Sequence, residues 1–241
     1  IDDFCKEIDQ FALKNQLLGD QVKRRNRNSQ MCLSEMMTIY VGFHLSSKTN
    51  FKSYYHDVVI KDWKHLFPNL VSYERFNQTQ NRIFVPLMML IQSRFKGQCT
   101  GISYADSTTL PVCHIKREKQ NKVFKGVAEK SKSTMGWFYG FKLHLIINDK
   151  GEILNFAITQ ANVDDREPLK KERFLKDIFG KLFGDKGYIS KEISNILFVD
   201  GIHLITSIRN NMKNSLMDMN DKINLRKRSV IETVNDELKN M

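Results

Sequence analysis

The chain has 241 residues, of which 41% are hydrophobic and 27% charged, and only 4 are proline. This composition is typical of a globular protein, and the length suits one large domain or two smaller ones. Lys and Arg number 38 against 27 Asp and Glu, so the formal net charge is +11. Such an excess favours a polyanionic partner. No apolar run approaches the roughly 18 residues of a membrane span, so the sequence excludes that class.

The cysteines argue against a zinc ribbon. Cys5, Cys32, Cys99 and Cys113 include no Cys-x-x-Cys spacing, and a reduced, intracellular protein is the plain interpretation. The chain opens at Ile1 with neither a secretory signal nor an initiator methionine. We therefore expect a fragment of a longer protein.

Helical spacing dominates the first part of the chain. Apolar residues recur at steps of three and four at Leu33, Met36, Met37, Tyr40 and Val41, and further helices are predicted over 51–58, 63–67, 73–81 and 85–94. We therefore expect a helical N-terminal domain over residues 1–97. A basic cluster precedes the first well-patterned helix, at Lys23, Arg24, Arg25 and Arg27. It is either a solvated turn or an arm that contacts phosphates.

Strand patterns replace helical ones after Gly97. Strands are predicted at 102–112, 138–148, 153–159, 182–184 and 202–208, and helices at 165–179, 190–197 and 229–239. A hairpin turn at 149–152 joins the second and third strands, with glycine at position 151. The order predicts an α/β (α+β) domain over 98–241, in which a mixed sheet is flanked by helices.

The stretch 114–132, between the first two predicted strands, holds 7 basic and 2 acidic residues. It has too few apolar residues to pack, so we predict a surface loop that contacts a phosphate backbone. The cations assigned to DNA binding here are Lys116, Arg117, Lys119, Lys122 and Lys125. The aromatic residues that follow are expected in the core rather than as base-stacking platforms: Trp137, Phe138, Tyr139 and Phe141.

Two predicted strands carry an aspartate in an otherwise apolar setting, Asp106 and Asp185. A half-buried carboxylate is unfavourable unless it is paired or metal-bound, and carboxylates that meet at strand ends suit Mg²⁺. A third carboxylate, Glu232, lies on the last predicted helix. Taken singly, the aspartates also suit turns, and Glu232 a solvated helix face. Lys142 and His144 share one strand face, which is either the active-site face or part of the core.

These residues lie in stretches that resemble the DDE transposases of bacterial insertion sequences, and most of all the insertion-sequence nine-eighty-two family. The stretches are ADSTTLPVC (105–113), GWFYGFKLHL (136–145), ANVDDREPL (161–169), GDKGY (184–188) and, in the helical part, LVSYERF (70–76). The resemblance spans most of the chain. It implies a ribonuclease H-like catalytic core, with Asp106, Asp185 and Glu232 as the catalytic, metal-binding triad.

Related families carry a Tyr-x2-Arg-x3-Glu-x6-Lys signature around the glutamate. Arg228, Glu232 and Lys239 occupy the matching positions, but Leu225 stands where the signature has tyrosine. The role of that tyrosine is therefore in doubt here. Arg228 and Lys239 are similar in position to residues that hold transposon-end phosphates, and Lys186, beside Asp185, is also assigned to DNA binding.

The resemblance implies strand cleavage at insertion-sequence ends and strand transfer to target DNA, with two Mg²⁺ ions (or Mn²⁺) roughly 3.5–4 Å apart. The implied partners are double-stranded terminal inverted repeats and target DNA, with a homodimer on the DNA in the bacterial cytoplasm, at the nucleoid. The N-terminal domain is then the candidate for end recognition. Two alternatives stay open: a truncated, inactive DNA-binding remnant or regulator, whose Glu232 helix is frayed, and a structure-specific nuclease.

Overall fold

The computed structural model describes residues 1–14, 30–133, 136–208 and 217–240. Two compact units divide the chain, Ile1–Phe95 and Lys96–Met241. The basic cluster at 23–27 lies outside the described residues. Within the described ranges, no helix is both long and apolar enough to cross a membrane.

The first unit is helical. Its α-helices are α1 (Asp2–Lys14), α2 (Leu33–Leu45), α3 (Phe51–Tyr54), α4 (Tyr73–Thr79) and α5 (Asn81–Arg94). A π-helix over Tyr55–Val59 continues α3, and a 3-10 turn covers Lys64–Leu66. The helix starts follow from local capping, since the side chains of Asn50 and Ser72 accept backbone N–H groups at the first turns of α3 and α4.

The core of the first unit is largely aromatic. The Phe51 ring lies 5.3 Å from Phe43 and 5.5 Å from Phe76, centroid to centroid. Tyr55 is fully buried, and its hydroxyl donates to the Val71 carbonyl at 2.7 Å. The burial of these rings explains why helices form here. The expected helical N-terminal region is confirmed.

Among the described residues, the second unit is built on a six-stranded sheet of β1 (Ile102–Cys113), β2 (Glu129–Ser133), β3 (Gly136–Asn148), β4 (Ile153–Gln160), β5 (Gly180–Gly184) and β6 (Ile202–Thr206). The strand order is β2-β3-β1-β5-β6, and β4 also pairs with β3. Strands β1, β2 and β4 run antiparallel to β3, whereas β1, β5 and β6 are parallel. This confirms the expected mixed sheet.

Helices cover both faces of the sheet: α6 (Glu172–Leu175), α7 (Lys191–Val199), α8 (Met219–Lys227) and α9 (Ser229–Asn240). Alternation along β1 divides its side chains between two cores. Ala105 packs with Tyr188 and residues of α7 on one face, and Tyr104 belongs to the cluster on the other face, which also holds Ile231 of α9. The face that carries α9 is the one that matters for the site described below.

Ile231 anchors α9 to the sheet, since it is fully buried among residues of β1, β3, β5 and β6. We expect Ile231→Ala to lower the free energy of unfolding by about 2–5 kcal/mol, because it leaves a cavity under the helix. Urea titration measures this directly. Glu237→Ala, at an exposed position of the same helix, is the matched control. If Ile231→Ala lowers the free energy of unfolding no more than Glu237→Ala does, Ile231 does not anchor the helix.

The predicted helix over 165–179 is wrong. The structure has a 3-10 helix at Glu167–Lys170, an extended Lys171 and then the single turn α6. Pro168 lacks an N–H, and the next buried apolar residues, Leu169 and Phe174, are five positions apart. That spacing does not keep one face of a long helix toward the sheet.

Two other elements depart from the sequence prediction. The stretch 114–132 is not all loop, because it holds a 3-10 helix at Ile115–Gln120 and the start of β2. The β2 sequence, EKSKS, has no apolar alternation, as is common for lysine-bearing strands at a sheet edge. Helix α8 was not predicted, and its polar sequence MNDKINLRK offers little periodicity.

Candidate active site

Asp106 lies within β1, and α9 holds it from above the sheet. Its cross-strand neighbour on β3 is Leu145, which belongs to the same core as Ile231. Asn235 of α9 donates from Nδ2 to Asp106 Oδ2 at 3.0 Å. The Asp106 side chain is 19% exposed. The carboxylate is therefore half enclosed, and the hydrogen bond from Asn235 helps to fix its orientation.

Asp185 reaches the same edge of the sheet from the neighbouring strand. The last paired residues of β1 and β5 are Tyr104 and Phe183, and each aspartate lies two positions further along its own strand. Two-residue periodicity then puts both aspartates on the face of their last paired residues. Asp185 accepts the Gly187 N–H at 2.8 Å and so caps the 3-10 turn that follows.

Arg228 joins Asp106 to Glu232. It lies at the junction of α8 and α9, with Nη1 3.7 Å from Asp106 Oδ1 and Nη2 2.9 Å from Glu232 Oε1. Glu232 lies in the first turn of α9, one helical turn after Arg228, so their pairing follows from the i,i+4 spacing. One guanidinium thus supplies positive charge to two of the three predicted site carboxylates.

The three carboxylates share one electrostatic environment. The pKa of Asp106 is raised to about 6, chiefly by burial and to a smaller extent by the charges of Asp185 and Glu232, whereas Arg228 and a backbone hydrogen bond at Ser107 oppose the rise. A carboxyl with a raised pKa beside like charges is typical of functional sites. The structure therefore brings Asp185 and Glu232 each within electrostatic reach of Asp106.

Tyr188 supports the two aspartate segments from the opposite face of the sheet. It is 3% exposed and belongs to the same core as Ala105 of β1. Burial raises the pKa of Tyr188 well above its usual value, with Asp106, Asp165 and Asp185 adding to the effect. The sequence marks this residue only as the end of the GDKGY stretch. Tyr188 ends the 3-10 turn that follows Asp185, and the fold brings it beside the strand that carries Asp106.

Sequence reasoning gave no role to Asn235, which is 3% exposed. Its Oδ1 has no hydrogen-bond partner among the described residues. A buried amide of this kind is unusual and needs an explanation. The sequence feature that could have identified Asn235 is a polar amide on the apolar side of α9, three residues after Glu232.

The donor set has the chemistry that a divalent cation requires. Three carboxylates and one unpaired amide oxygen are hard oxygen donors. In the described part of the chain, no three His, Cys, Asp or Glu side chains are close enough to hold one ion. The residues fit a metal by donor type, and Arg228 supplies the positive charge between Asp106 and Glu232.

Lys142 and His144 lie on the other face of the sheet from Asp106. Lys142 donates to Asp165 and to the Val163 carbonyl, each at 2.9 Å. His144 is 1% exposed and pairs with Thr159 Oγ1 at 2.8 Å, and burial lowers its pKa to about 4. Of the two interpretations, the core one is correct for this pair.

Residues 96–241 match the family model described as Transposase DDE domain. The chain belongs to this family of transposases. Transposase DDE domains use divalent metal ions. The insertion-sequence nine-eighty-two assignment stays a prediction.

One solved structure similar to this chain is a cryo-EM structure of the piggyBac transposase synaptic complex with hairpin DNA. The TM-score is 0.42 at 9% sequence identity, over 81% of this chain and 47% of that chain. The present chain thus spans about half the length of that transposase. No curated protein matches the sequence significantly.

The cations assigned to DNA are exposed on the DDE domain, at Lys116, Arg117, Lys119, Lys122, Lys125, Lys186 and Lys239. The 3-10 helix at Ile115–Gln120 is tied to β2 by an ion pair between Glu118 and Lys130, at 4.0 Å. Arg228 differs from the other cations, since its side chain is only 20% exposed and faces two carboxylates.

Trp137 of the DDE domain is not a core residue, contrary to the prediction. It is 57% exposed, and Lys130 Nζ lies 5.1 Å from its ring centroid. Phe138 and Tyr139 are buried as expected. Trp137 is paired with Lys132 of the edge strand β2, so this end of the sheet presents an aromatic ring among lysines.

Proposed function

We propose that this chain is a transposase that cuts DNA at the ends of an insertion sequence and joins the freed ends to target DNA. The observation that carries the proposal is the placement of Asp106 and Asp185 on parallel neighbouring strands. Each lies two residues beyond the last pair between β1 and β5, and Glu232 is linked to Asp106 through Arg228. The family match supports the same function.

Asp106, Asp185 and Glu232 are the residues proposed to hold Mg²⁺ or Mn²⁺, two ions in the working complex. Divalent ions bound there would supply Lewis-acid activation of a hydroxyl and neutralise charge on the transferred phosphate. Asn235 keeps the Asp106 carboxylate oriented, and the Gly187 N–H does the same for Asp185. Arg228 can exchange its carboxylate partners for a DNA phosphate, since a guanidinium binds either anion in the same bidentate manner.

The proposed partners are double-stranded terminal repeats and target DNA. The exposed cations of residues 114–132, with Lys186 and Lys239, would contact phosphates, and the helical unit would recognise the ends. We further propose a bacterial insertion sequence of the nine-eighty-two family, a cytoplasmic site of action and a homodimer that pairs two ends. The inactive remnant is not favoured, because Ile231 is fully buried and Glu232 is paired with Arg228.

The direct test uses labelled duplexes that carry the DNA flanking the coding segment, compared with scrambled duplexes, in Mg²⁺ and in EDTA. We expect Mg²⁺-dependent single-strand cuts at the element end and joined products with target DNA. Cutting of any branched DNA regardless of sequence would favour a structure-specific nuclease. Binding without cutting would favour the remnant.

Trp137 offers a second test of the DNA surface. Stacking of a single-stranded base on an exposed aromatic ring contributes about 1–3 kcal/mol, so we expect Trp137→Ala to weaken binding of element-end DNA with a single-stranded flank accordingly, whereas Trp137→Phe retains most of the affinity. Tryptophan fluorescence should be quenched when DNA binds, and the quenching should be lost in Trp137→Phe. Equal affinity and equal quenching in all three proteins would exclude a stacking role.

A further inference from the structure

Asn235 is a buried polar residue on a helix face that otherwise packs against the sheet. Its neighbours along α9 are Ile231, which is fully buried, and Val234, which packs on the same core. An asparagine that faces such a core is unfavourable unless both ends of its amide are satisfied. Only one end is satisfied here, because Nδ2 donates to Asp106 Oδ2 at 3.0 Å.

The other end of the amide is the informative one. Oδ1 is buried and has no hydrogen-bond partner in the described ranges. It is carried on the same planar amide as Nδ2, so it lies beside the Asp106 carboxylate. An unpaired carbonyl oxygen on the residue that orients Asp106, a carboxylate near the charges of Asp185 and Glu232, marks a position suited to a cation.

We propose that Asn235 is a further residue of the metal site, where Nδ2 positions Asp106 and Oδ1 adds a neutral oxygen donor for the divalent ion. The inference rests on the proposed function, since it requires that Asp106 binds metal. Asparagine carbonyl oxygens are ordinary ligands of hard cations. A neutral donor adds coordination without adding negative charge to a site that already has Asp106, Asp185 and Glu232.

The competing explanation is that Asn235 serves only to pack α9 and to hydrogen-bond Asp106. The two explanations predict different effects on metal affinity when an oxygen at position 235 is kept or removed. If Oδ1 is a donor, a variant that keeps an oxygen keeps metal affinity, even if it loses the Nδ2 hydrogen bond. If Asn235 only packs and orients Asp106 through Nδ2, Asn235→Asp, which lacks that donor, weakens metal binding as Asn235→Leu does.

The experiment measures Mn²⁺ binding to the full chain, from the electron paramagnetic resonance signal of free Mn²⁺, without DNA and without any activity assay. The variants are Asn235→Leu, which fills the space without polar atoms, Asn235→Asp, which keeps the oxygens, and Thr233→Ala as an exposed control on α9. We expect Asn235→Leu to weaken Mn²⁺ binding about 10-fold or more. Asn235→Asp and the control should bind at least as tightly as the parent chain. Thermal unfolding of each variant shows that it is folded.

Asp106→Asn separates failure of this inference from failure of the proposed function. If Asp106→Asn leaves Mn²⁺ affinity unchanged, the metal site itself is wrongly assigned. If Asp106→Asn weakens binding but Asn235→Leu stays within two-fold of the parent, only the role of Asn235 is overturned. A direct check uses protein labelled with 13C-asparagine, in which electron–nuclear coupling between Mn²⁺ and the carbonyl carbon is expected and disappears in Asn235→Leu. Lack of coupling in the parent chain also overturns the donor role.

Discussion

Asp106→Asn is expected to reduce DNA cleavage by at least about 10³-fold while leaving DNA affinity within a factor of two. The change removes one charged metal ligand, and loss of about 4 kcal/mol of transition-state stabilisation corresponds to that factor. The variant keeps the shape of the side chain and an oxygen that can accept from Asn235. Cleavage in Mg²⁺ and affinity by filter binding measure the two effects. We expect the same loss of cleavage and the same retained DNA affinity for Asp185→Asn. Retained cleavage in either variant would show that the substituted aspartate is not a catalytic residue.

The same substitution should stabilise the metal-free protein. The pKa of Asp106 is about 6 in the folded chain, against 3.8 for the unperturbed group. Because the folded value is the higher one, ionisation opposes folding, and stability falls as the pH rises from about 4 through 6. The full effect is about 3 kcal/mol at most, since one pKa unit corresponds to about 1.4 kcal/mol.

Thermal unfolding in EDTA at pH 5 and pH 8 tests this stabilisation. Asp106→Asn should unfold at a higher temperature than the parent chain at pH 8. The difference between the two unfolding temperatures should be smaller at pH 5. Asp236→Asn, at an exposed position on α9, is the control and should show no such difference. A variant less stable than the parent at pH 8 would mean that the ion pair with Arg228 outweighs the burial of the carboxylate.

Reversing the charge of Lys116, Arg117 and Lys119 together is the second change with a large expected effect. If each cation contacts one phosphate, the slope of log affinity against log salt should fall by about 2.7, at roughly 0.9 for each contact. Affinity should fall most at low salt, where the three contacts contribute most. All three residues are exposed, so the folded state should tolerate the change.

A matched control reverses three other exposed lysines of the same unit, Lys176, Lys191 and Lys222. It changes net charge by the same amount, so it separates contact from long-range attraction. Equal losses of affinity and equal salt slopes in the two triple variants would show that DNA binding depends on net charge and not on where these cations lie. An unchanged slope in the Lys116, Arg117 and Lys119 variant would exclude these residues from the DNA interface.

The aspartates were accessible to sequence analysis because each follows an apolar strand of its own. Asp106 comes after Ile102–Ala105 and Asp185 after Leu182–Gly184, so local pattern alone predicts carboxylates at strand positions. The contact between Asp106 and Asn235 joins residues 129 positions apart. Such a pairing depends on how α9 lies over the sheet, which local periodicity does not encode. The same holds for the sharing of Arg228 between Asp106 and Glu232.

The misassigned segments fail for local physical reasons. An aromatic run predicts burial, but Trp137 is paired with β2, an edge strand whose sequence carries no apolar signal. The sequence therefore predicted neither strand β2 nor the exposure of the Trp137 ring beside it. In 165–179, an acidic first turn and scattered apolar residues imitate a helix, although Pro168 and the extended Lys171 interrupt it. Tertiary packing overrode the local propensity in each case.

We propose that Asp106 and Asp185 hold a divalent metal at one edge of the sheet. Anomalous diffraction from crystals soaked in Mn²⁺ locates that ion. We expect an anomalous peak bonded to carboxylate oxygens of both aspartates, with Arg228 withdrawn from Asp106. A peak elsewhere in the second unit, or none at Asp106 and Asp185 in crystals where Mn²⁺ is bound, would show that these aspartates do not form the metal site.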